Sequence, residues 1–212
     1  MRDIPLFTTS NGVASLYFKK IPFTKEAFIH IRDSLTCENL LAECIDFCRM
    51  AGAEYIYAAG DEMLTKYPEA CSILRYCVQC TDLPSTDAVA LAVQPEQKDW
   101  WRQLYNQKMI HVPTASPLST DEVGKLIDEG KAYIVYRDCV MLGIGVAYDG
   151  EIQAVASLIP GGGKDTVLAL IGCLENETVF LRVASGNEKA IGLYRSLGFE
   201  RTALEGTWYK IL

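Results

Sequence analysis

The run Gly161-Gly162-Gly163-Lys164 has residue types and spacing that suit phosphate binding. Glycines let a backbone approach a phosphate closely, and the start of a following helix offers free N–H groups and a positive dipole. A P-loop would need Ser or Thr after the lysine and a glycine at 158, where the chain has Asp165 and Leu158. A dinucleotide fingerprint would need glycine in place of Thr166. A tight turn capped by Asp165 is the alternative interpretation.

Cysteines are the second set of residues with possible chemistry, and there are eight. Cys44 and Cys48 lie four apart on a predicted helix, and Cys77 and Cys80 form a CxxC, so together they could supply a four-thiolate zinc site. The glycines that usually surround zinc knuckles are absent, and most of the cysteines lie in apolar runs, where Cys acts as a small hydrophobe. The sequence therefore favours reduced thiols in the core and no metal.

Composition and charge limit the class of protein. Half of the 212 residues are hydrophobic and 22% are charged, which is typical of a soluble globular chain. The net charge of −7 argues against sequence-independent nucleic-acid binding, which needs a basic surface. It fits cationic substrates such as amines, but only weakly. No apolar run is long enough for a membrane span and the N-terminus lacks a signal-peptide core, so we expect a cytoplasmic protein that does not bind membranes.

The hydrophobic pattern predicts two α/β regions, residues 1–84 and 85–212, separated by the polar, proline-containing stretch 80–87. The first has predicted strands at 13–19, 27–32, 54–58 and 70–78 and a helix between Thr36 and Gly52. The second begins with a strand at 88–93, a helix from Pro95 to about 107, and a short helix with a Ser119–Glu122 capping box. The remaining segments are predicted strands at 132–136, 140–148 and 152–159, a helix at 165–174, a strand at 179–184, a helix at 187–197 and two strands within 199–212.

The C-terminal run from Ser185 to Phe199 reads as a capped amphipathic helix, with a Ser185–Glu188 capping box and Gly198 at its end. In this view Asn187 caps the helix and Tyr194 packs in the core. The run also resembles the last motif of the GNAT N-acetyltransferases. The matching residues are Asn187, Ala190, Leu193, Tyr194, Gly198 and Phe199. The order of predicted elements over residues 85–212 is similar to that family as well.

The resemblance implies a fold and a set of roles. The expected fold is α/β, with a mixed, mostly antiparallel GNAT-like central sheet and flanking helices. The α/β region at residues 1–84 is compatible with a partial GNAT-like copy. The fourth strand, from Gln153 to Ile159, would pair with the pantetheine arm of acetyl-CoA, and Asn187 would hold that arm. Tyr194 would protonate the departing CoA thiolate, because a phenol is protonated at neutral pH and can act as a general acid.

The pyrophosphate signature of the family is degraded in this chain. Gly163 stands where relatives have Arg or Gln, and Thr166 and Leu168 stand where they have small residues. Flexible glycines, the helix N-terminus and the charge of Lys164 would have to compensate. The cofactor site implied by the resemblance consists of Ser157, Leu158, Ile159, Gly161, Gly162, Gly163, Lys164, Asp165, Thr166, Val167, Asn187, Ala190 and Tyr194.

The general base is expected to be a carboxylate at the start of the fourth strand, and Glu151 is the nearest candidate. Because Glu151 follows an Asp149-Gly150 turn, an exposed hairpin charge is the alternative. The two histidines are His30, which has no motif around it, and His111, in a loop that borders the acceptor site in relatives.

The sequence thus predicts an acetyl-CoA-dependent N-acetyltransferase that moves the acetyl group directly to a small-molecule or peptide amine, with a homodimer left open. The rival hypothesis is a non-catalytic acyl-CoA-binding sensor or scaffold with a degenerate GNAT fold. The eroded phosphate segment favours the rival, and the presence of Asn187 and Tyr194 favours the enzyme.

Overall fold

The computed structural model describes residues 5–113 and 115–212. In chain order, the elements of the first part are β1 (Leu6–Thr9), β2 (Gly12–Tyr17), α1 (Ile21–Thr24), β3 (Glu26–Ser34), α2 (Cys37–Met50), β4 (Tyr55–Ala59) and β5 (Glu69–Gln79). The remaining elements are β6 (Val89–Ala92), α3 (Lys98–Met109), α4 (Thr120–Asp128), β7 (Ala132–Arg137), β8 (Val140–Tyr148), β9 (Glu151–Ser157), α5 (Gly163–Ile171), β10 (Thr178–Ala184), α6 (Glu188–Ser196) and β11 (Glu200–Lys210). No helix within the described ranges has the length and hydropathy needed to cross a membrane.

The described chain divides into two compact units, residues 5–73 with 204–212, and residues 74–203. The sequence placed a boundary between residues 84 and 85. The division instead falls within β5, because this strand and β11 each contribute residues to both units.

The first unit consists of an antiparallel strand meander followed by a helical crossover. Strands β1, β2 and β3 pair antiparallel in that order, and α2 then leads to β4, which is parallel to β3. Thr36 is the N-cap residue of α2, as the sequence predicted. The apolar face of α2 is buried against the sheet, and its core residues are Leu40, Leu41, Cys44 and Cys48.

The second unit begins with a longer antiparallel meander, β6–β7–β8–β9. Ser119 and Glu122 form the predicted capping box at the start of α4. Helices α3 and α4 cover one face of this sheet, with Trp101 and Val123 among the buried residues of that layer. Helix α5 covers the opposite face and leads from β9 to the parallel strand β10.

The two units share one order of elements. Each has three antiparallel strands, a crossover helix and a fourth strand parallel to the third: β1–β2–β3–α2–β4 in the first unit and β7–β8–β9–α5–β10 in the second. This order agrees with the expected α/β fold, in which the N-terminal region partly repeats the C-terminal one.

The prediction of two final strands is wrong. The chain from Glu200 to Lys210 forms one continuous strand, β11. Near its start, the Thr202 hydroxyl donates to the carbonyl of Arg75 in β5 at 3.4 Å, and its last residues pair with β4. The strand is therefore continuous through Gly206.

Candidate functional site

The central feature of the second unit is the early separation of the parallel strands β9 and β10. Only two residue pairs join them, Glu151 with Phe180 and Ile152 with Leu181. Beyond these pairs, no further pairing between the two strands is found in the described chain. The five remaining residues of β9 extend about 16 Å at the usual rise per residue. The strands therefore enclose a cleft that opens towards the start of α5.

A β-bulge lies at the point where the two strands separate. Val146 and Ala147 of β8 pair with Ala154 and Ile152, so Gln153 is an extra residue in β9. A bulge bends its strand and increases the local twist. The bulge therefore gives a physical reason for β9 to turn away from β10 immediately after Ile152.

The edge of β9 that faces the cleft has backbone groups that pair with no strand of the described residues. The Leu158 N–H donates to the Leu142 carbonyl at 2.8 Å, which fixes the alternation of this antiparallel pair. The carbonyls of Ala154 and Ala156 also face β8. A methyl group added to Gly145 of β8 would lie 2.9 Å from the Ala154 carbonyl, and one added to Gly143 would lie 2.7 Å from the Ala156 carbonyl. By the same alternation, Val155 and Ser157 direct their N–H and C=O groups into the cleft.

The glycine run forms the open end of this cleft. Gly161 has a φ of +80° and Gly162 is the N-cap residue of α5, which has no side-chain cap. A methyl group on Gly163 would lie 3.1 Å from Leu193 Cδ2 of α6, so glycine allows the two helices to approach closely. The first N–H groups of α5 have no partner within the helix, as at any helix start. They suit an anionic group.

Asp165 does not cap this helix, contrary to the alternative interpretation of the sequence. Its Oδ1 accepts a hydrogen bond from the Thr86 hydroxyl at 2.8 Å, and its Oδ2 pairs with Arg137 Nη1 at 2.6 Å. Sequence reasoning missed Thr86 and Arg137. Neither lies in a motif, and their contacts span 79 and 28 residues.

Two of the predicted cofactor residues lie in the interior. Thr166 is fully buried, and its N–H and hydroxyl both donate to the Gly162 carbonyl, at 3.0 and 2.7 Å. Val167 is fully buried in the core. Both residues face inward because α5 places this turn against the sheet. Their side chains stabilise the helix start and the core.

Three further predicted residues are the last residue of β9 and the two that follow it. The Ser157 hydroxyl donates to the Ile159 carbonyl at 2.6 Å, which closes the turn before the glycines. The side chain of Leu158 packs in the α3–α4 layer, and that of Ile159 packs in the core under α5. Of the three, Ser157 is the one whose backbone faces the cleft.

Asn187 is the N-cap residue of α6, so the predicted Ser185–Glu188 capping box does not form. The Asn187 Oδ1 accepts a hydrogen bond from the Ala190 N–H at 3.2 Å. Its amide nitrogen has no hydrogen-bond partner among the described residues. Capping therefore uses one end of this amide and leaves a donor at the other.

Tyr194 lies on the buried face of α6, with 6% of its surface exposed. Its ring packs against Phe199, with centroids 5.8 Å apart. Burial raises the pKa of this phenol to about 12, so the hydroxyl stays protonated at neutral pH. No partner for the hydroxyl is found within residues 5–113 and 115–212. The geometry is compatible with both a core residue and a proton donor.

Glu151 is buried, with 5% of its surface exposed, so it is not an exposed hairpin charge. Its Oε1 forms an ion pair with Arg182 Nη1 of β10, and its Oε2 accepts from the side-chain amide of Gln153 in the bulge. The carboxylate therefore lies at the closed end of the cleft, held by the two strands that separate there. The predicted Asp149-Gly150 turn precedes it, and both turn residues have positive φ.

The histidines and cysteines lie in ordinary environments. His111 is exposed, and burial together with the nearby charge of Arg32 lowers the pKa of His30. Cys44 and Cys48 are fully buried in the core of the first unit, where burial raises their pKa values to about 12 and about 11. Within the described ranges, no three His, Cys, Asp or Glu side chains come together as metal ligands would.

Comparison with solved structures identifies the fold as that of the GCN5-related N-acetyltransferases, as the C-terminal motif predicted. The N-acetyltransferase of this class from Sphaerobacter thermophilus matches with a TM-score of 0.56 and 10% identity, over 93% of this chain and 75% of that one. A tandem GNAT protein from the clavulanic acid biosynthesis pathway matches with a TM-score of 0.53 and 11% identity, over 94% and 78%. A conserved protein of unknown function from Staphylococcus epidermidis matches with a TM-score of 0.59 and 14% identity, over 99% and 94%.

No protein-family model matches the chain, and no curated protein matches it. At these identities the likeness shows the fold alone.

Proposed function

We propose that the chain is an acetyl-CoA-dependent N-acetyltransferase that moves the acetyl group directly to an amine acceptor, either a small molecule or a peptide. The observation that carries the proposal is the cleft between β9 and β10, into which Val155 and Ser157 direct backbone N–H and C=O groups. An extended ligand with its own amide groups can pair with such an edge as a missing strand would. The pantetheine arm of CoA is a ligand of this kind.

The phosphate end of the cleft also fits CoA, despite the degraded signature. The backbone at Gly161 is open, since nothing lies within 4 Å of a methyl group added there, and α5 begins without a side-chain cap. A diphosphate can accept hydrogen bonds from the free N–H groups at such a helix start. Lys164 is exposed at the same end and adds positive charge. Backbone groups would therefore do what an Arg or Gln side chain does in relatives.

In the proposed reaction, the amine nitrogen forms a bond to the thioester carbonyl carbon and the carbon–sulfur bond breaks. Glu151 takes the amine proton, directly or through water, and Tyr194 gives its phenolic proton to the departing sulfur. The products are an amide and the free CoA thiol. The carboxylate of Glu151 has about four lone-pair positions. Arg182 and Gln153 use two of them, so the group retains the capacity to accept a proton.

The direct test is calorimetry with acetyl-CoA together with release of the CoA thiol over a panel of amines. We expect micromolar binding and turnover with at least one amine class. Val155→Pro removes the N–H that faces the cleft and should abolish binding. Val155→Ala loses the same side chain but keeps the N–H, so it should bind within a few-fold of the unmodified chain.

Two outcomes would change the conclusion. A folded protein that gives no heat and no thermal shift at millimolar acetyl-CoA would contradict the proposed function. Binding without turnover across amino acids, polyamines, aminoglycosides and peptides would instead support the non-catalytic acyl-CoA sensor or scaffold.

A further inference from the structure

The phosphate end of the cleft contains a carboxylate, that of Asp165, the third residue of α5. An acidic group in the first turn stabilises a helix by itself, because it interacts with the positive end of the dipole. A bound diphosphate would use the same positive end. Left uncompensated, Asp165 would therefore repel the ligand that the proposed function requires.

The structure shows how this carboxylate is held. Thr86 Oγ1 and Arg137 Nη1 contact its two oxygens at 2.8 and 2.6 Å. Arg137 is the last residue of β7, at the start of the tight turn to β8, and its side chain is 44% exposed. Both oxygens thus face partners outside α5, so Asp165 does not act as the helix cap.

Local charges decide the potential at this end of the cleft. Exposed charges separated by more than about 8 Å are largely screened at physiological ionic strength, so the net charge of −7 has little influence here. Asp165 alone would cancel the charge of Lys164. Arg137 cancels Asp165 instead and leaves the helix start and Lys164 positive.

We propose that Arg137 is a positioning residue for the nucleotide diphosphate: its ion pair with Asp165 removes the negative charge at the start of α5. This inference rests on the proposed function. It gives a residue at the β7–β8 turn, which lies outside the glycine run, a role in cofactor affinity.

The test is calorimetry of acetyl-CoA binding to Arg137→Gln, Asp165→Asn and the double variant, with S-acetylpantetheine as the phosphate-free probe. Arg137→Gln should weaken acetyl-CoA binding by about two- to fivefold, a range typical of partly exposed charges, and the loss should shrink at high salt. Asp165→Asn should bind as tightly as the unmodified chain or more tightly. The double variant should regain most of the lost affinity, and binding of S-acetylpantetheine should not change.

Arg201→Gln is the matched control, because this exposed β11 arginine changes the net charge equally. An equal loss in this control, or no rescue in the double variant, would overturn the proposal. If Arg137→Gln does not fold, Asp165→Asn provides the test. Weaker acetyl-CoA binding by Asp165→Asn would contradict the proposal. An unmodified chain that does not bind acetyl-CoA removes the proposed function as well, whereas normal binding by Arg137→Gln removes only the role of Arg137.

Discussion

Tyr194→Phe removes a single hydroxyl from the proposed mechanism and leaves the packing in place. The ring is 6% exposed and lies against Phe199, and Phe preserves that contact. The hydroxyl has no hydrogen-bond partner among the described residues. We therefore expect the free energy of unfolding to change by less than about 1 kcal/mol.

The expected effect on rate is much larger. General acid catalysis typically contributes about 10²- to 10⁴-fold, which corresponds to about 3–5 kcal/mol in the activation barrier. The proton is needed when charge develops on the departing sulfur, so its loss raises the barrier without weakening ground-state binding. Turnover should fall while the affinity for acetyl-CoA stays nearly constant.

The assay combines steady-state kinetics, calorimetry with acetyl-CoA and thermal melting of the variant. Tyr76→Phe is the matched control. Tyr76 is also buried, but its hydroxyl accepts a hydrogen bond from Arg195 Nη2 at 3.3 Å. That variant should lower stability more than rate. Unchanged turnover in a folded Tyr194→Phe protein would refute the reasoning and remove Tyr194 from the mechanism.

The raised pKa of Tyr194 gives a second readout with a definite sign. The pKa is about 12 in the folded chain and about 10 when unfolded, so the folded state favours the neutral phenol. The contribution of this phenol to the free energy of unfolding is complete below pH 10. It is lost as the pH rises from about 10 to 12, and the loss reaches up to about 3 kcal/mol. Alkaline denaturation should therefore be steeper for the unmodified chain than for Tyr194→Phe. Equal curves would show that the phenol is not held neutral.

Three further outcomes are expected. Asn187→Ser keeps a helix-capping oxygen for the Ala190 N–H but removes the amide donor; calorimetry should show weaker acetyl-CoA binding at an unchanged melting temperature, and unchanged binding would leave Asn187 as a cap only. Glu151→Gln should lower turnover near neutral pH without changing acetyl-CoA affinity, and full activity would exclude this carboxylate as the base. Calorimetry should give one acetyl-CoA per chain, and a stoichiometry of two would contradict the assignment of the cleft to the second unit.

Elements specified by neighbouring residues could be predicted from the sequence. The capping box of Ser119 and Glu122, the N-cap at Thr36 and the Asp149-Gly150 turn all form as expected. The capping box and the turn depend on residues within one turn of helix or one hairpin, where the chemistry of a few side chains decides the backbone. The Thr36 side chain makes no capping hydrogen bond, so only the position of this helix start was predicted. The order of strands and helices could be predicted because it is the sum of such local signals.

Features that depend on distant partners could not be predicted. An exposed hairpin charge was the alternative interpretation of Glu151, but this carboxylate is buried and pairs with Arg182, 31 residues away. A helix cap was the alternative interpretation of Asp165, but its partners Thr86 and Arg137 lie outside α5. In both cases the side chain pairs with a charge or donor that the fold brings close to it. That partner is distant in the sequence, so neighbouring residues do not predict it.

The same order of elements produces a cleft in only one of the two described units, and the position of a bulge accounts for the difference. In the first unit, β3 and β4 pair through five residues, ending at His30, and the extra residue of β3 is Arg32. In the second unit, pairing ends at Ile152 and the extra residue is Gln153. Parallel pairing stops one or two residues before the bulge in each case. An early bulge bends the strand while most of it is still unpaired. The β9 bulge therefore leaves a free backbone edge, whereas the later β3 bulge leaves a closed sheet.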